Sequence, residues 1–134
     1  MNTGIIVDTC VWIEFFRKSE SRLTLHLKGL LRERKVIMVG MVMAEILQGV
    51  KVPKEANLVK QSLKKLPYLE ITRDIWVAAG EMSASLRGRG ITIPLSDLII
   101  TGAALSGGHE IFTIDPHFEK VDGLRLHNIP RQQP

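Results

Sequence analysis

Cysteine occurs once in this chain, at Cys10, which excludes an intrachain disulfide and any cysteine-built metal cage. No apolar run approaches the ~20 residues of a membrane span. The N-terminal hydrophobic stretch is interrupted by Asp8 and Glu14 and has no basic segment before it, so it does not read as a secretory signal. Aromatic residues make up only 5% of the chain, and three of them, Trp12, Phe15 and Phe16, are nearly adjacent. They serve either as core or as a surface for a partner. The four histidines show no metal-ligand spacing, and His117, close to Asp115 in sequence, is read as an exposed loop residue in preference to a phosphate contact. There is no internal repeat, low-complexity segment or linker. Residues 1–134 read as a single cytoplasmic domain, with 130–134 a frayed tail.

What the sequence does have begins at Gly4-Ile5-Ile6-Val7-Asp8-Thr9. Three consecutive β-branched residues suit a strand covered on both faces, as in a parallel sheet. Asp8 then stands at the carboxyl end of that strand, where open α/β sheets bind ligands. Further strands are expected at Lys35–Val39, Tyr68–Ile71, His109–Ile114 and Leu124–His127. Helices are expected from Thr9 to Arg17, Leu23 to Arg34, Met41 to Val50, from Pro53 to Pro67, from Thr72 to a close at Arg87-Gly88-Arg89-Gly90, and from Ser96 to Leu105. Ser19 and Ser21 mark a break, and Gly40 a turn. The alternation predicts an α/β fold with a mainly parallel sheet.

The formal charge is +4, which favours a polyanionic partner only slightly over a charge carried for solubility. The acidic residues are more informative. Asp8 and Asp115 follow strands, Asp97 opens a helix, and Glu45 lies on a helix face shared with Met41 and Gly49. Singly, each has an ordinary explanation: Asp8 and Asp115 as helix caps, Asp97 as complement to a helix dipole, Glu45 as a solvated side chain. Together they converge, because strand-end carboxylates on one parallel sheet share an edge. Grouped carboxylates repel and raise one another's pKa unless a cation joins them. All-oxygen ligation suits Mg²⁺ or Mn²⁺, which support phosphodiester hydrolysis. Lys60, Lys64 and Lys65 are either a solvated helix face or a track for RNA, and Arg87 and Arg89 are either helix C-terminal charges or residues that flank the cleft near Asp97.

Four segments carry a resemblance to a known family: Ile6-Val7-Asp8-Thr9, Met43 to Gly49, Pro94 to Ile99, and Phe112-Thr113-Ile114-Asp115-Pro116-His117-Phe118. In their order and separations they resemble PIN-domain nucleases, and within these the VapC-type toxins of toxin–antitoxin pairs. The resemblance implies an α/β/α sandwich with a central, mainly parallel sheet of about five strands, and a Mg²⁺- or Mn²⁺-dependent endoribonuclease with Asp8, Glu45, Asp97 and Asp115 as catalytic and metal-binding residues. It implies Thr9 and Thr113 as groups that orient carboxylates, an RNA substrate, a cognate antitoxin, and a homodimer. Cys10 departs from the Asn or Ser of many relatives and is read as a small buried hydrophobe. A dehalogenase-like phosphatase would need a second Asp at Cys10, and a receiver domain an acid before Asp8 and a late lysine. The remaining alternative is a non-catalytic RNA-binding or antitoxin-binding module with the same fold.

Overall fold

The strand β1 (Ile5–Val7) is buried along its whole length. Consecutive residues of a strand face opposite sides, so both faces of the sheet are covered here. Each of these side chains gains about 1.5–3 kcal/mol on leaving water, which anchors the strand in the interior. The computed structural model describes residues 3–17 and 20–130. Ser19 of the expected break and the tail beyond Pro130 lie outside the described residues.

After β1 come α1 (Thr9–Phe16), α2 (Arg22–Arg32), β2 (Val36–Val39), α3 (Gly40–Gln48), α4 (Pro53–Lys64), β3 (Tyr68–Leu69), α5 (Arg73–Gly88), α6 (Leu95–Gly107), β4 (Glu110–Phe112) and a 3-10 turn (Pro116–Lys120). The sheet order is β3-β2-β1-β4 with every neighbour parallel. This is the expected α/β class with a central parallel sheet. The sheet has four strands among the described residues, not five. Leu124–His127 contributes one parallel bridge, Leu126 to Ile111. Around that bridge Ile111 N donates to Arg125 O at 3.0 Å and His127 N donates to Ile111 O at 2.8 Å.

Local chemistry sets the helix ends. Ser21 and Thr72 accept hydrogen bonds from Thr24 N and Ile75 N at the starts of α2 and α5. Pro53 begins α4, where a missing N–H costs nothing. Gly108 ends α6 in the left-handed conformation at φ 65°, a cost most residues would bear and glycine does not. Gly40 does not form a turn. It enters α3 directly from β2, and a side chain there would meet the Tyr68 hydroxyl at 2.8 Å.

The main core joins β1, β2 and β4 to Val11, Trp12, Leu27, Leu30, Val42, Ile46, Leu63, Ile100 and Phe118. Trp12 is therefore core, while Phe15 and Phe16 are half-buried against it, with Trp12 stacked on Phe16 at 5.7 Å. A second cluster, with Ala79, Leu86, Leu98 and Ile99, locks α5 to α6 and so fixes where α6 starts. Lys60, Lys64, Lys65, Arg87 and Arg89 are all exposed.

Candidate metal centre

Parallel strands bring their carboxyl ends to one edge, and the candidate acids sit there because of the connections made at that edge. The β1 ladder continues one residue past the strand, with Asp8 N donating to Phe112 O at 2.8 Å. Asp8 is buried and is also the N-cap of α1. Capping and site membership are thus not alternatives for this residue. Its Oδ1 accepts from Thr9 N at 2.8 Å, while Oδ2 accepts from Thr113 Oγ1 at 2.7 Å and from Cys10 Sγ at 3.3 Å.

Glu45 lies on α3, and its Oε1 accepts from Thr9 Oγ1 at 2.9 Å. Thr9 therefore links the first acid to the second through its amide and its hydroxyl. Thr113 has a similar double function, because its Oγ1 also accepts from Asp115 N at 3.0 Å.

Asp97 is in the first turn of α6, where the positive end of the helix dipole favours an anion. Its carboxyl is nevertheless pushed up to about 6. Burial is the first cause, followed by the nearby charges of Asp8 and Asp115, with His117 opposing the rise. Asp115 caps the 3-10 turn, its Oδ1 accepting from His117 N at 2.9 Å. Asp97, Asp115 and His117 each present a ligand atom within 4.8 Å of the others.

The residues singled out from sequence are therefore placed unequally. Asp97 and Asp115 meet at ligand spacing, Asp8 is near enough to raise the pKa of Asp97, and Glu45 is tied to Thr9. Two expectations need correction. His117 is not a bystander in a loop, since its Nδ1 lies 3.1 Å from Asp115 Oδ1 and 3.4 Å from Asp97 Oδ2. The Pro116-bounded turn forces this, because a residue two places after a capping Asp is carried back beside it. Cys10 is not a mere hydrophobe either. Its thiol donates to Asp8, and burial and the Asp8 charge push it up to about 11, so it remains protonated.

The donor set suits a divalent cation. Three carboxylates are close enough for charge to accumulate, and the one most perturbed is held up by its like-charged neighbours. Asp8 already accepts three hydrogen bonds that orient it, the outer support expected of a metal-binding carboxylate.

The PIN domain family model matches residues 5–124, which includes all four acids. The chain belongs to the PIN-domain family. It is 26% identical to Ribonuclease VapC11 of Mycobacterium tuberculosis over 129 residues, covering 93% of this chain and 95% of that protein. VapC ribonuclease Mb1587 of Mycobacterium bovis is similar to the same extent, 26% over 129 residues with 93% and 95% covered. Among solved structures, VapBC2 of Rickettsia felis bound to a promoter DNA fragment matches with a TM-score of 0.80 and 19% identity, covering 96% of this chain and 100% of that one. DNA-bound VapBC of Salmonella typhimurium matches with a TM-score of 0.77 and 20% identity, covering 93% and 97%. At these identities the structural matches establish the PIN fold. No helix of the described residues is long and apolar enough to cross a membrane.

Proposed function

We propose that this chain is a metal-dependent endoribonuclease of VapC type, the toxin of a toxin–antitoxin pair. The observation that carries the proposal is the meeting of Asp97 with Asp115 beside a buried, triply hydrogen-bonded Asp8 at the carboxyl edge of a PIN-fold sheet. The relatives' name, ribonuclease, supports RNA as the substrate class. Asp8, Asp97 and Asp115 would hold Mg²⁺ or Mn²⁺, with Glu45 binding it or positioning the attacking water. Bound there, the ion supplies positive charge for the phosphoryl oxygens and acidifies water near neutral pH.

The chain's own residues do the rest. Thr113 holds Asp8 and the Asp115 backbone in one register, and Thr9 fixes the orientation of Glu45. Water oxygen joins phosphorus as the bond from phosphorus to the 3′ oxygen breaks, and the proton passes to that leaving oxygen. The products are a 5′-phosphate and a 3′-hydroxyl. The test is purified protein with total RNA, with and without Mg²⁺, followed by mapping of the cut ends. Ends carrying 2′,3′-cyclic phosphate, or undiminished cleavage in excess chelator, would overturn the proposal. RNA capture without cut ends would favour the non-catalytic module.

The structural neighbours include VapBC and a toxin–antitoxin complex, which supports a protein antitoxin as partner. An apolar groove of about 660 Å³ between α1, α3 and α4 suits it, with Phe16, Val52 and Leu58 in its walls and Glu45 at its margin. A segment seated there covers one of the candidate catalytic acids. A second copy of the chain is the other partner that the family reading implies. Trp76 and Val77 on α5 are exposed apolar side chains that such a dimer would cover, which light scattering tests directly.

A further inference from the structure

His117 Nδ1 is sealed from solvent yet makes no aligned hydrogen bond to either carboxylate beside it, although the rest of the side chain is 40% exposed. A buried nitrogen without a partner is costly, and its surroundings usually explain it. Here both neighbours are acids, at 3.1 Å and 3.4 Å. Ligands held ~2.1 Å from one octahedral ion stand about 3 Å apart when adjacent, so these separations are those of donors sharing an ion. The ring is not free to wander. Pro116 and the bond from His117 N to Asp115 Oδ1 fix its backbone, and Phe118, 1% exposed, anchors the next residue in the core.

We propose that His117 is a nitrogen ligand of the metal centre and shifts its preference from Mg²⁺ toward first-row transition ions such as Mn²⁺. The inference rests on the metal-centre reading given above and adds to it the donor type and the selectivity. Mg²⁺ is strongly hydrated and takes oxygen donors almost alone, whereas imidazole gains affinity along the transition series. An Asp97–Asp115–His117 donor set is therefore a mixed oxygen and nitrogen site. In the metal-free chain the His117 ring lies between the two acids, with Nδ1 turned toward both.

The test uses the full chain and Mn²⁺ followed by electron paramagnetic resonance. Bound Mn²⁺ should show nitrogen modulation in the pulsed spectrum, and Mg²⁺ should compete poorly for the site. His117→Ala keeps the backbone N–H that bonds Asp115, so circular dichroism should show it folded. It should lose the modulation and bind Mn²⁺ about tenfold more weakly, with Mg²⁺ affinity little changed. His117→Asp should restore binding through oxygen, without modulation and with the preference moved toward Mg²⁺. Bound Mn²⁺ without nitrogen modulation, modulation that persists in His117→Ala, or an unchanged Mn²⁺ to Mg²⁺ ratio overturns the inference and leaves the metal centre standing. If the unaltered chain binds no Mn²⁺ or Mg²⁺, the metal-centre reading itself fails, and this inference with it.

Discussion

The Thr113 hydroxyl donates to Asp8 Oδ2 at 2.7 Å across a sequence separation of 105 residues. Because the same oxygen accepts from Asp115 N, this one side chain sets the spacing of two acids that follow different strands. Thr113→Val keeps the shape and removes both bonds. The expected result is a folded protein whose affinity for Mn²⁺ falls by about tenfold or more, read by metal titration beside a cleavage assay. Unchanged metal affinity would remove Thr113 from the site.

Asp97 gives a pH dependence with a definite sign. Its folded-state pKa is raised, to about 6, so the folded chain binds this proton more tightly than the unfolded chain does. The relative stability this confers is fully present below the ordinary value of 3.8 and is lost as pH rises through about 6. With its side chain 13% exposed, the penalty above that range reaches about 2–3 kcal/mol. In chelator at pH 7.5, Asp97→Asn should therefore raise the melting temperature by several degrees, and the gain should vanish near pH 4; with Mg²⁺ supplied, the variant should not cleave RNA. A lower melting temperature at pH 7.5 would contradict the repulsion argument.

Asp8→Asn should stay folded and lose cleavage, since its amide retains the size but not the charge of the carboxylate. His109→Ala is the contrasting variant. His109 Nδ1 accepts from Gly4 N at 2.9 Å, a bond at the opposite end of β1 from Asp8. Its loss should cost about 1 kcal/mol of stability, with cleavage retained at 25 °C. Equal activity in the two variants would remove the assignment of Asp8.

Cys10 should resist thiol reagents. With the thiol pushed up to about 11, the reactive thiolate is scarce at pH 8, and alkylation should run roughly a hundredfold or more slower than for free cysteine. Rapid labelling of the folded chain would show that the Cys10 to Asp8 hydrogen bond does not persist.

Leu58 tests the groove. It is 61% exposed, so Leu58→Glu should leave the fold and RNA cleavage intact. Antitoxin affinity should drop by about tenfold or more, measured by calorimetry, if Leu58 is among the few residues that dominate the contact. Unaltered affinity would move the antitoxin to another surface.

Much of the architecture was legible in the sequence because its signals are local. The β-branched run Ile5–Val7, the cap at Thr72 and the stop at Gly108 depend on neighbours within a few residues. The weak final strand was not, since Leu124–His127 has strand-like residues, and that it forms a single bridge to Ile111 depends on packing against a segment outside it. Gly40 departs from the expected turn for a related reason. Glycine signals a turn in isolation, yet here the space is limited by Tyr68, a residue distant in sequence.

For the site, the sequence by itself determined which acids exist and that parallel strand ends would carry Asp8 and Asp115 to a common edge. Only the tertiary structure decided how the groups pair. Thr113 reaches Asp8, Thr9 reaches Glu45, the Cys10 thiol faces a carboxylate, and His117 turns between Asp97 and Asp115. Residue pattern fixes the direction a strand or helix presents, which is a property of the local backbone. Contacts of 2.7–3.4 Å between distant residues depend on how the layers pack, and the packed core sets those distances.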